Sequence, residues 1–176
     1  MSSFFAVQYL KDLSDTIFGN SINSLVLNET GKNLKTITEH LVHGWPVLVP
    51  YDADGNHAPC LKNGKKAHWA VVFGFLGILD KDTTEDRILT SGTVEKEYYD
   101  MIYNLLCPSY TFVYAKQGKS RFTKLWSFKR LVESNANLSQ VGDNISQDKD
   151  NYVLPQEPLS QTLASQVLLL RPRDRE

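Results

Sequence analysis

The chain has 176 residues, 41% of them hydrophobic, and a formal net charge of -1 from 19 Lys and Arg against 20 Asp and Glu. That length and composition predict one domain with a buried core, and the balanced charge excludes a basic field for nucleic acid or phosphate. No stretch approaches the roughly 18 apolar residues of a membrane span, and Met1 is followed by early charges at Lys11, Asp12 and Asp15 rather than by a signal sequence. The expectation is a cytoplasmic protein without nucleic-acid or membrane partners, its Cys60 and Cys107 reduced because two cysteines make no disulfide framework.

In chain order, Ser3 to Phe18 reads as a helix with Phe5, Leu10, Leu13 and Ile17 facing a core, Ser2 or Ser3 as cap and Gly19-Asn20 as stop. Ile22 to Leu27 is a short extended piece. A second helix, Leu34 to Val42, ends at Gly44 and carries His40 and His43 as ordinary surface or end residues. Pro46 to Tyr51 is a buried strand, and Tyr51 to Lys66 is a polar loop rich in turn formers, longer than most connections and of a length that is often functional. Ala67 to Leu76 is a near-continuous apolar strand. From Gly77 to Asn104 a charged surface insertion is expected, with a helical turn or two at Glu95 to Leu106. Tyr110 to Ala115, a turn at Gln117 to Ser120, and Arg121 to Trp126 form a hairpin. Ser127 caps a helix over Phe128 to Ser134, Asn135 to Asn151 is a polar loop, and Gln166 to Leu170 is the last strand. The pattern is α+β: a helical part over 1–45, then a mainly antiparallel sheet of about five strands over 46–171 with the insertion at 77–106.

The chemistry-bearing residues gather around the Tyr51 to Lys66 loop. His57, Cys60 and His68, with Asp52 and Asp54 nearby, invite a zinc reading, yet His-x2-Cys-x7-His matches no common zinc pattern. A calcium loop from Asp52 would need Glu at its twelfth position, where Asn63 stands. Gly118-Lys119-Ser120 lacks the earlier glycine and following helix of a phosphate loop. No metal or cofactor is expected. His68, where a polar loop enters an apolar strand, has its backbone held by the ladder and its ring near solvent, as a general base requires. Antiparallel pairing of 67–76 with 110–115 returns Gln117, Gly118 or Ser120 to the level of His68, whereas Asp80 would lie roughly 40 Å up a continuing strand. Such a base deprotonates a thiol nucleophile while a third polar group holds the imidazole ring. A histidine hydrogen-bonded only for structure is the other reading. Cys60 follows Pro59 in a loop with no helix behind it to lower its pKa, a poor setting for a nucleophile.

Four segments carry a family resemblance: Pro46 to Asp52, Asn56 to Cys60, Lys65 to Val71, and Lys116 to Ser120 followed by Leu125-Trp126. Over about Phe4 to Leu170 the chain resembles the actin maturation protease (actin aminopeptidase) family, papain-like cysteine peptidases of the bacteriocin-processing type. The resemblance implies a cytoplasmic aminopeptidase that removes the N-acetylated Cys or Asp from immature actin, free or bound to profilin, with His68 matching the catalytic histidine.

The chain also departs from that family. The family's nucleophilic Cys starts a helix within a Cys-Gly motif ahead of the region matching Phe4, and no Cys-Gly pair occurs here. The resemblance therefore implies one peptidase-like domain over 1–176, shortened by the nucleophile helix. The turn that would hold an orienting Asp reads Gln-Gly-Lys-Ser. Two function classes follow: a cysteine-type aminopeptidase whose complete form uses His68 as base, or a shortened isoform or pseudo-enzyme that binds actin or another partner without cleavage. A fragment that folds poorly because its sheet has lost a covering helix is a third.

Overall fold

The computed structural model describes residues 6–78, 88–92, 103–104, 106–118, 120–142 and 157–173. The expected cap at Ser2 or Ser3, the apolar contact of Phe5, and most of the 77–104 insertion with its helical turn at Glu95 to Leu106 lie outside these residues. The chain runs α1 (Val7–Phe18), β1 (Ile22–Asn28), α2 (Leu34–Val42), β2 (Val47–Asp52), β3 (Ala67–Ile78), β4 (Ile88–Thr90), β5 (Thr111–Gln117), β6 (Lys124–Ser127), α3 (Phe128–Ala136), α4 (Leu159–Thr162) and β7 (Gln166–Pro172). The architecture is the expected α+β. Its sheet has seven strands in the order β1-β7-β2-β3-β5-β6, with β4 on β3 and every pairing antiparallel.

The two additional strands lie in places where the pattern is weak. β1 is the outermost strand beside β7, so the part read as helical also supplies a sheet edge, and β4 is a three-residue strand of the insertion. The hairpin partner begins at Lys124 rather than Arg121, while Pro108 to Tyr110 is a 3-10 turn that delays β5 to Thr111.

The sheet is covered on both faces. On one, Leu34, Ile37 and Leu41 of α2 and Phe128 and Leu131 of α3 pack over Val47, Val49, Tyr51, Ala70, Val72 and Phe75. On the other, Val7 of α1 with Leu138, Leu159 and Leu163 packs over Ala67 and Leu168. Burying such side chains stabilises the fold by roughly 1.5–3 kcal/mol each. In α1 the buried side is Val7 with half-buried Leu10, whereas Leu13 and Ile17 are exposed, contrary to the sequence pattern. The reason is that the turn carrying Lys11 and Asp15 faces β1, where Ser24 Oγ donates to the Asp15 carboxylate.

One bulge keeps β3 in register with the core. Val72 pairs with Ala115, but Gly74 pairs with Tyr114, so Phe73 is an extra residue and points outward. Phe75 thereby returns to the buried face opposite Val113. A Cβ on Gly74 would meet Ser91 Oγ at 2.7 Å, which explains glycine there.

Polar ties join the layers. His40, expected on the surface, is buried, and its Nε2 donates to the Leu170 carbonyl at 2.9 Å; burial lowers its pKa. Its neighbour His43 stacks on Trp45. Asn135, expected in a loop, is a fully buried residue of α3, which the predicted cap Ser127 begins. The amide of Asn135 donates to the carbonyls of Pro50 (2.9 Å), Leu163 (3.2 Å) and Gln166 (3.2 Å), and its oxygen accepts from Thr30 Oγ1 at 2.9 Å. Removing it leaves several buried groups unpaired, so Asn135→Ala should lower unfolding stability in urea by about 2–4 kcal/mol. A loss below about 0.5 kcal/mol, the level of an ordinary surface substitution, would contradict this role.

Candidate active site

The loop between β2 and β3 is folded around one carboxylate. Asp52, the last residue of β2, is fully buried; its Oδ2 accepts the backbone N–H of Lys62 and Gly64, each at 2.7 Å, and its Oδ1 that of Lys66 at 2.9 Å. Charge-assisted bonds of this kind are roughly twice as strong as neutral ones. They close residues 53–66 into a compact cap whose ends are also tied by the Ala53 N–H on the Lys66 carbonyl at 3.0 Å, with an Ala53–Pro59 bridge inside it. Gly64 has φ of +94°, and a Cβ there would lie 2.5 Å from the Gln140 carbonyl oxygen, so both conformation and space require glycine. Within the cap, Asp54 Oδ1 accepts from Asn56 and Ala58 N–H, and these bonds, that of Ala58 foremost, hold its carboxyl below the usual range. Asp52 and Asp54 thus bind backbone, and among the described residues no group of three His, Cys, Asp or Glu could hold a metal ion.

From below, Ser134 of α3 supports the same cap. Its Oγ accepts the Asp52 N–H at 2.9 Å and lies 2.7 Å from the Cys60 carbonyl oxygen. Asn137 Oδ1 accepts from Asn63 N–H at 2.8 Å. The sequence signal for this support was the Ser-Asn pair at 134–135 just where a helix was expected to end, which composition alone assigns to a loop edge.

His68, the second residue of β3, is half-buried and pairs with Tyr51 of β2. On the other side, Gln117 closes β5 opposite Ala70, on the same face as His68 and one pleat away. Diagonal neighbours of this kind have Cβ atoms about 7–8 Å apart, within reach of a long amide side chain. Gln117 is only 3% exposed. Ser120 N–H closes the following turn on the Gln117 carbonyl, and Ser120 Oγ accepts the Phe122 N–H, so the serine is engaged within the turn. The structure thus returns the 117–120 turn to the level of His68, as the pairing argument requires, with Gln117 the buried member.

A second imidazole stands beside the first. The ring centroids of His57 and His68 are 6.3 Å apart. His57 has φ of +62°, an uncommon conformation for a non-glycine residue, held by its N–H on the Asp54 carbonyl and by Tyr51 Oη donating to its carbonyl at 2.9 Å. Its Nδ1 is buried with no hydrogen-bond partner among the described residues. Tyr51, fully buried against Trp126, has its hydroxyl pKa pushed up by burial. The sequence offered His57 only a zinc pattern that its spacing does not support, and the folded cap brings it to His68. Burial, then the neighbouring Asp52, push the Cys60 thiol pKa up, away from the thiolate a nucleophile needs. Cys107 is exposed before the Pro108 turn.

The family described as actin maturation protease-like, C-terminal domain, has a profile that matches residues 2–76, a span that includes α1, α2, β2, the cap and His68. The chain belongs to the actin maturation protease family. It is 35% identical over 172 residues to the Actin maturation protease of Danio rerio, covering 94% of this chain and 56% of that protein. To the protein of the same name from Homo sapiens it is 32% identical over 184 residues, covering 97% of this chain and 51% of that one. The chain thus spans about half the length of the curated relatives it matches. No solved structure matches it.

Asp52→Ala removes the acceptor for three backbone N–H groups, so the amides of Lys62, Gly64 and Lys66 should exchange with deuterium far faster while those of β5 change little. Stability should fall by about 2–4 kcal/mol. Unchanged exchange at these three amides would show that the cap does not depend on Asp52.

Proposed function

We propose that this chain is the base-bearing half of an actin maturation protease, a cytoplasmic cysteine-type aminopeptidase that removes the N-acetylated Cys or Asp from immature actin, free or held by profilin. The observation that carries the reading is the place of His68: half-buried at the mouth of β3, beside His57 and one pleat from buried Gln117, within the segment that the family profile matches. His68 then holds the proton of a cysteine thiol as an ion pair, and the thiolate sulfur attacks the carbonyl carbon of the N-acetylated first residue. It returns the proton to the departing amine of the second residue as the C–N bond breaks, leaving a thioester. A water molecule, deprotonated by His68, hydrolyses the thioester and frees the N-acetyl amino acid and the thiol. Gln117 is the side chain in place to orient the imidazole.

In this reading neither Cys60 nor Cys107 is the nucleophile, because burial raises the pKa of Cys60 and Cys107 is exposed before a turn. In the full-length protein, His68→Ala should lower turnover of an N-acetylated actin amino-terminal peptide by about 10²–10⁴-fold with little change in thermal midpoint. A lowered midpoint with turnover in proportion to folded protein would instead mark a structural histidine. The 176-residue polypeptide alone should show no cleavage above background in a mass-spectrometric assay of the same peptide. Turnover that disappears on Cys60→Ala would contradict this and make Cys60 the nucleophile.

A further inference from the structure

His57 stands beside His68 and takes no part in the attack by sulfur. Its φ of +62° is a left-handed conformation that glycine takes without steric cost. The turn around it closes without help from the ring. His57 N–H meets the Asp54 carbonyl at 3.1 Å, Asp54 Oδ1 accepts from Asn56 and Ala58 N–H, and the hydroxyl of fully buried Tyr51 donates to the His57 carbonyl. Glycine would serve that backbone as well, so what histidine adds is its side chain, fixed at the root by bonds on either side of its Cα.

The half-buried ring presents one polar atom. Nδ1 is buried with no hydrogen-bond partner among the described residues, which leaves Nε2 as the nitrogen that faces the site. A neutral imidazole carries a single N–H, and placing it on Nε2 keeps the donor where a partner can meet it. The carboxylates of the cap offer no competing partner, because Asp52 and Asp54 are committed to backbone amides. The rings of His57 and His68 lie 6.3 Å apart between centroids, tilted by 40°. A direct bond between ring nitrogens needs about 2.9 Å, and the separation left after both ring radii is longer. Two hydrogen bonds to one shared oxygen atom, each about 2.8–3.0 Å, span such a gap.

We propose that His57 is a catalytic residue that holds the water which hydrolyses the thioester. The inference rests on the peptidase reading and adds a group to its second half. The water oxygen accepts from His57 Nε2–H while one of its O–H groups donates to His68. The oxygen bonds to the thioester carbonyl carbon as His68 takes the proton. Collapse of the tetrahedral intermediate breaks the C–S bond, so the N-acetyl amino acid leaves, the sulfur departs as thiolate beside protonated His68, and His57 ends as it began. Holding the nucleophile in place lowers the entropic part of the barrier, and a misplacement of about 1 Å costs on the order of 10²-fold in rate.

The p-nitrophenyl ester of N-acetylaspartate separates the two halves in the full-length protein. Its leaving group makes acylation fast, so the burst of nitrophenol reads acylation and the steady rate reads hydrolysis of the thioester. His57→Asn keeps a residue at home in the left-handed region and withdraws the donor by its shorter side chain. It should give an undiminished burst, a steady rate about 10- to 100-fold below wild type, a thioester visible by intact mass, and a thermal midpoint near that of the wild type. His57→Gln, whose amide reaches about as far as Nε2, should recover most of the lost rate. An unchanged steady rate in His57→Asn overturns the proposal, as does a burst slowed as much as the steady rate. A lowered midpoint with both phases reduced in proportion marks a histidine that only forms the turn, and overturns it too. A wild type with no burst and no thioester, whose turnover of the actin peptide survives His68→Ala, strikes the peptidase reading and this inference with it. A normal burst with wild-type hydrolysis in His57→Asn removes His57 alone.

Discussion

The buried Asp52 carboxylate is the constraint on which the site depends. A charge taken out of water is costly unless it is fully hydrogen-bonded, and here three backbone N–H groups of the following loop meet it. The loop has no freedom to lie elsewhere while those bonds persist. Its consequences run in both directions: the His57 ring is carried to 6.3 Å from that of His68, centroid to centroid, and Lys62, Lys65 and Lys66 are turned outward. Ser134 and Asn135 then tie β2, the cap and β7 to one helix through bonds to Asp52, Cys60, Pro50 and Gln166.

Much of this was legible in the sequence, and the misses share a cause. The 3.6-residue and continuous apolar patterns located α2, β2 and β3, and Ser127 announced its helix. Period alone does not say which side of α1 meets the sheet, so Leu13 and Ile17 were read as core although Ser24 draws the Lys11 and Asp15 side inward. Polar residues misled in the same way. Asn135 and His40 have loop-like or surface-like chemistry, yet each is buried because a specific carbonyl awaits its N–H. The zinc and calcium patterns around Asp52 were set aside on spacing, and its actual partners are amides that no motif encodes.

At the site, His68 and the returning turn at 117–120 followed from strand pairing, which needs only alternation and length. The neighbour His57 did not, because its place is set by a positive φ and by the Asp52-bound loop rather than by ladder register. The matched relatives extend well beyond the length of this chain.

The claim that matters most is that His68 exchanges a proton with a cysteine. A histidine so placed keeps its partner thiol ionised near neutral pH as an ion pair. In the full-length protein, ultraviolet absorbance of the thiolate, followed by titration from acid to neutral, reads this directly without any substrate. The account predicts a thiolate signal present at pH 7 in the wild type and lost in folded His68→Ala. A thiolate signal that survives unchanged in that variant would contradict it.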